Sequence, residues 1–265
     1  MRAGDLCIWC LQPAKDRDLE HIFPEVLGCP SHLTLPGTTV CRKCNNNLAH
    51  LDQVVADDFD FLLVMNRIKR KGGRPAEVAS RGNVYAASTA EGPNIFFNLE
   101  SIAHTAPTGQ TVGPFRGRER DIRPQINRLS NGQAEVSFEV AFGQHKKFAR
   151  GLYKIALSSI AFLLGPERAL QQKYDWIRTY VRHGGARRHI LLTAAADKRF
   201  MLASYPPWTS EEGEEAMEVR IGMAEFLLDL SEGEVHLPRL LERASVSFGE
   251  GNFSVFPAWS NEIEV

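Results

Sequence analysis

Cys7, Cys10, Glu20, His21, Cys41, Cys44 and Asn45 combine residue types and spacings that could carry chemistry. The cysteines form two Cys-x-x-Cys pairs, CIWC and CRKC, the shortest spacing that brings two thiolates to one tetrahedral ion. Four thiolates make a closed zinc site with no open coordination position, so its role is structural. It joins the two ends of a segment too short to bury a core of its own, and metal binding supplies the missing folding free energy. Two disulfides are the alternative use of the same thiols. All five cysteines fall within the first 44 residues, and MRAGDLCIWC lacks the apolar stretch of a secretory signal. The reading is therefore zinc in a reducing, cytoplasmic setting.

Between the cysteine pairs runs LEHIFPEVLG, with Glu20 and His21 ahead of Pro24 and Gly28. Imidazole exchanges protons near neutral pH and suits general-base work. Asn45 follows the last cysteine directly, at the start of a helical pattern. A strand, turn, strand and helix in this order would bring His21 and Asn45 to one place. Adjacent strand residues face opposite sides, so Glu20 shares a site with His21 only where the strand bends or bulges. Asp52 is seven residues beyond Asn45, roughly 10 Å along the helix, too far to share one ion. It reads as a supporting residue, His50 as an exposed one and Cys29 as a small buried one.

CIWC, LEHIFPEVLG and VCRKCNNNLAHLD together resemble the HNH endonucleases of ββα-metal fold, in the branch whose two zinc knuckles bracket an EHxxPxxLGG stretch. The resemblance spans residues 7 to 52. It implies that His21 is the general base that activates water against a phosphodiester. It also implies that Asn45 and Glu20 hold a catalytic divalent ion, most simply Mg2+, which neutralises the developing charge. Three positions depart from the family pattern. Cys29 stands for the second glycine after Leu27, Ala49 for a glycine after the asparagines, and Thr38 or Thr39 for a middle asparagine. The substrate implied is DNA, with RNA equally compatible because the sugar is not encoded in these motifs. A zinc-ribbon nucleic-acid-binding protein without catalysis is the alternative. Restriction or phage defence suits such a nuclease, and a homodimer or a regulatory partner is compatible with it.

The elements that must position these residues read as an α+β chain. A zinc-stabilised module is expected over residues 1–72 and a larger α+β domain over 73–265. Leu48, Leu51, Val55, Phe59 and Leu62 recur at helical spacing, with Asn45 or Asn46 as cap. IKRKGGRP marks the junction. NVYAAS, NIFFNL and QAEVSFEVAF read as strands, and residues 104–131 as a long irregular stretch. HKKFARGLYKIALSSIAFLLG and PERALQQKYDWIRTYVRHGG read as two helices, the second opened by Pro166 and closed at Gly184. RHILLTA, RFMLAS, MEVRIGMAEFLLDL, ASVSF and FSVFP read as further strands.

Apolar residues make up 43% and no stretch approaches ~18 consecutive apolar residues, so a membrane span is not expected. The net charge of −1 conceals a split. Residues 209–265 carry three Lys/Arg against thirteen Asp/Glu, and the other 208 carry 28 against 19. A basic body suits a polyanion, and the acidic end reads as a shield over it when substrate is absent. Candidate phosphate contacts are Arg67, Lys69, Arg70 and Lys71 after the module, with Arg116 and Arg118 in the irregular stretch. Lys146, Lys147, Arg150 and Lys154 form a third basic group.

Overall fold

The structure, a computed structural model, describes residues 6–14, 19–69, 78–81, 84–89, 92–97, 125–128, 134–137, 143, 145–197, 199–210, 213–249 and 252–256. The described chain is mixed helix and sheet. It packs as two units, one of residues 1–57 with 143–265 and one of residues 58–142. This division differs from a junction near residue 72, because the cysteine-bearing segment packs with the C-terminal half.

In the first unit, β1 (Glu20–His21) pairs antiparallel with β2 (Thr34–Leu35), placing Glu20 opposite Leu35 and His21 opposite Thr34. Between them, a 3-10 turn over Glu25–Leu27 ends at Gly28, whose φ of 79° lets its N–H reach Glu25 O. This left-handed position suits glycine because it lacks the Cβ that would clash. Helix α1 (Arg42–Met65) follows. It starts at Arg42, earlier than an asparagine cap would place it. The Asn45 amide N–H donates to Cys41 O at 3.0 Å, so Asn45 and Asn46 lie inside the helix. Leu48, Leu51, Val55 and Phe59 are all buried, as their spacing requires.

Helix α2 (Phe148–Leu164) is buried at Phe148 and throughout residues 151–161, as befits a helix that is apolar almost all round. Where PERALQQKYDWIRTYVRHGG reads as one helix, the structure has two, α3 (Pro166–Ala169) and α4 (Asp175–His183), joined through a 3-10 turn over Gln172–Tyr174. The buried Arg178 guanidinium explains the break. It donates to the carbonyls of Ala169, Leu170 and Gln171, which a continuous helix would have used itself.

The remaining chain forms one antiparallel sheet. Its strands are β8 (Ile190–Ala194), β9 (Met201–Ser204), β10 (Trp208–Ser210), β11 (Gly213–Gly222), β12 (Ala224–Asp229) and β13 (Phe253–Phe256). Their order is β10-β11-β12-β8-β13, with β9 also paired to β11. Helix α2 joins this sheet through the Tyr153 hydroxyl, which donates to Asp229 O at 2.8 Å, and through the Phe148 and Phe226 rings, 5.7 Å apart edge to face.

One segment expected as a strand is helical. ASVSF is not a strand but the end of helix α5 (Leu237–Phe248). A proline opens this helix, and Leu237, Leu240 and Ala244 give it a buried face at helical spacing. The acidic end contains β11 and β12, two interior strands of the sheet, so removing residues 209–265 would dismantle the core. No helix among the described residues is long and apolar enough to cross a membrane.

The second unit contains β3 (Val78–Arg81), β4 (Val84–Thr89) and β5 (Gly92–Phe97), antiparallel in that order, and the antiparallel pair β6 (Gln125–Arg128) and β7 (Ala134–Ser137). Beyond β7, the remainder of QAEVSFEVAF lies outside the described residues.

Helices α1 and α2 meet at Gly151. A Cβ there would sit 2.3 Å from Val55 Cγ2 and 3.1 Å from Leu51 O. Neither neighbour is the end of a flexible chain, so Gly151→Ala forces the helices apart. The expected loss is about 1–3 kcal/mol, read as a lower midpoint in denaturant unfolding of the full chain.

Candidate metal centre and histidine ribbon

Cys7 and Cys10 lie on a tight turn. The Leu11 N–H donates to Cys7 O at 2.9 Å, the Cys7 N–H to Gln12 O at 2.8 Å, and Leu11 takes a φ of 58°. Cys41 directly precedes α1 and Cys44 lies in its first turn, just after a turn in which the Thr39 N–H donates to Pro36 O. The two loops are tied by the Ile8 N–H, which donates to Thr39 O at 3.0 Å. Trp9, wholly buried, wedges the first loop in place, and Arg182 of α4 donates to its carbonyl at 3.3 Å.

The result brings all four sulfurs within 4.8 Å of one another. Cys10 Sγ and Cys41 Sγ are 3.9 Å apart. A tetrahedron with zinc–sulfur bonds of about 2.3 Å has edges near 3.8 Å, so the donor set fits zinc. The same separation is far beyond a disulfide of about 2.05 Å, and all five cysteines are free thiols. Cys7 behaves as the thiolate of the group. The Cys44 thiol donating to it and the Cys41 backbone N–H, 3.4 Å away, push it down to about 5. Cys44 is driven upward by that same Cys7 sulfur, and burial raises Cys10. Loading the ion therefore displaces protons from Cys10 and Cys44, and acid competes with the metal.

His21 is half-buried on β1, and Asn45 is half-buried on the first turn of α1. The Asn45 amide Nδ2 donates to Leu19 O at 3.4 Å, which ties the helix start to the chain two residues before His21. Glu20 goes elsewhere. It is 2% exposed, and its Oε1 lies 2.7 Å from the ammonium of Lys154 on α2. Lys154 also donates to both carboxylate oxygens of Asp52, at 2.7 and 2.8 Å. Burial works against this ammonium, but Asp52 and Glu20 more than offset it and push the group up to about 12. The Glu20 and Asn45 pair expected for a divalent ion does not fit that role here, because the Glu20 carboxylate is turned inward and already faces a cation.

The other candidates distribute as follows. Arg67 and Lys69 are exposed and belong to the second unit, while Arg70, Lys71, Arg116 and Arg118 lie outside the described residues. Lys154 is no surface cation, and Arg150 donates through Nε and Nη2 to Val181 O. His50 is exposed, with Nδ1 2.9 Å from Asn47 O. Cys29 is half-buried rather than fully enclosed, and burial pushes its thiol up. A groove of about 800 Å³ beside the ribbon is lined by Leu19, Leu35, Ala161, Phe162 and Pro166 among others, and its described lining residues include no cation.

The chain was compared with protein-family models, curated proteins and solved structures, and nothing matched in any of the three.

If the four sulfurs hold one ion, freshly purified reduced protein should carry one zinc per chain by elemental analysis. Cys44→Ser should lose it and should melt at a lower temperature than the parent. Stripping the parent with a strong chelator should lower its melting temperature likewise, more readily as the pH falls.

Proposed function

We propose that the chain is an endonuclease that hydrolyses DNA phosphodiester bonds, with His21 as the general base. The observation that carries this reading is the order and tethering of the pieces. A short antiparallel ribbon bearing His21 leads to Cys41 and then a helix whose first turn bears Cys44 and Asn45, and Asn45 reaches back to the chain before the ribbon. That order is what the HNH resemblance of residues 7 to 52 implies. His21 would take a proton from water as it attacks phosphorus, worth about 10²–10⁴-fold in rate. Asn45 would steady the ribbon mouth against the helix. Mg2+ or another divalent ion is expected from the resemblance, which gives Asn45 and Glu20 as its donors; with Glu20 turned onto Lys154, Asn45 is the donor left for it.

The burial of Glu20 favours one competing reading, a zinc module that binds nucleic acid without cutting it. A plasmid assay with Mg2+ separates them. On the nuclease reading, the parent converts supercoiled DNA to open-circle or linear forms. His21→Ala should then lose about 10²-fold or more, and Asn45→Ala should lose activity as well. Equal cleavage by His21→Ala removes the assignment. DNA binding with no cleavage supports the binding-module reading, and cleavage confined to an RNA substrate changes the sugar but not the site.

A further inference from the structure

Three elements meet at one ammonium. β1 supplies Glu20, α1 supplies Asp52 and α2 supplies Lys154, which is 3% exposed and 102 residues from Asp52. Two carboxylates from separate elements converging on one positive charge is the arrangement of a cation site with a lysine in the cation's place. The group has a second consequence through β1. Glu20 and His21 are neighbours in an extended strand, so their side chains leave opposite faces. Glu20 is 2% exposed on the inner face and His21 is half-buried on the other. Beyond them the chain is held again, by the Ile22 N–H donating to Leu33 O at 3.0 Å and by the buried side chains of Ile22 and Phe23. A two-residue strand has few ladder bonds to set its rotation, so the buried Glu20 carboxylate adds a hold between the Asn45–Leu19 and Ile22–Leu33 bonds.

We infer that Lys154 is a positioning residue: with Asp52 it holds Glu20 inward, and so fixes the outward direction of His21. The corollary is that Glu20 is a strut and not a ligand of a divalent ion. What His21 then does to a phosphodiester rests on the endonuclease reading, whereas the strut itself does not.

The test uses the zinc-loaded full chain and three variants, Lys154→Met, Glu20→Gln, and the triple change Glu20→Gln/Asp52→Asn/Lys154→Met. Lys154→Met leaves two carboxylates without their counter-charge and should melt roughly 10 °C below the parent. The triple variant, with no buried charge left, should recover most of that loss. Well below these melting temperatures, the His21 ring resonances in a 1H–13C spectrum should shift in Lys154→Met while those of His183 and His236 stay in place. A role confined to stability would move none of them. Should Lys154→Met fail to fold, Glu20→Gln removes one charge only and should show the same selective shift. Unmoved His21 resonances in a destabilised but folded variant would overturn the positioning role. In a calorimetric titration with Mn2+, Glu20→Gln should bind within about twofold of the parent. A loss of about tenfold or more at unchanged melting temperature would make Glu20 a ligand and overturn the corollary. A parent that cuts no nucleic acid defeats the endonuclease reading alone, since melts and spectra still decide the strut.

Discussion

The convergence of Cys7, Cys10, Cys41 and Cys44 is the constraint on which the N-terminal part of the structure depends. The described residues between the two pairs form two strands of two residues each and one 3-10 turn. Such a ribbon is marginal in water by itself. Joining its ends at the start of α1 places it against a long helix, and the Asn45 amide then reaches Leu19 O. An ion held by four thiolates would supply folding free energy where the hydrophobic area is too small.

A second tie acts from the far end of the sequence. Gly151 lets α2 approach α1 at Val55, Arg182 holds the Trp9 carbonyl, and Lys154 binds Asp52 and Glu20. The cysteine segment and residues 143–265 therefore pack as one unit. Lys154 and Glu20 are buried and Asp52 is partly exposed; such a paired group costs little net stability, but losing one partner strands the others. On the positioning role inferred for Lys154, the group fixes the direction of His21 more than it stabilises the fold.

The parts legible in the sequence were those with local causes. Cys-x-x-Cys spacing announces a metal knuckle, and Leu48, Leu51, Val55 and Phe59 announce a buried helix face. Gly184 ends a helix because only its backbone tolerates the φ of 85° found there. The misreadings had causes at a distance. Lys154 follows three other basic residues at a helix start and so reads as part of a solvated basic face. Its partners are 102 and 134 positions away, and no local pattern marks it. ASVSF contains strand-forming residues, yet the sheet packs against a face made by Leu237, Leu240 and Ala244, and that tertiary demand overrides propensity. MEVRIGMAEFLLDL, by contrast, was legible as strand, because charged residues alternate with Met217, Val219 and Ile221 along β11.

The central claim is that one ion, gripped by four sulfurs, holds the His21 ribbon to its helix. X-ray absorption at the zinc edge of the purified reduced protein tests this most directly. The account predicts a first shell of four sulfur scatterers at about 2.3 Å. A shell containing nitrogen or oxygen ligands, or protein that folds normally with no zinc bound, would contradict it.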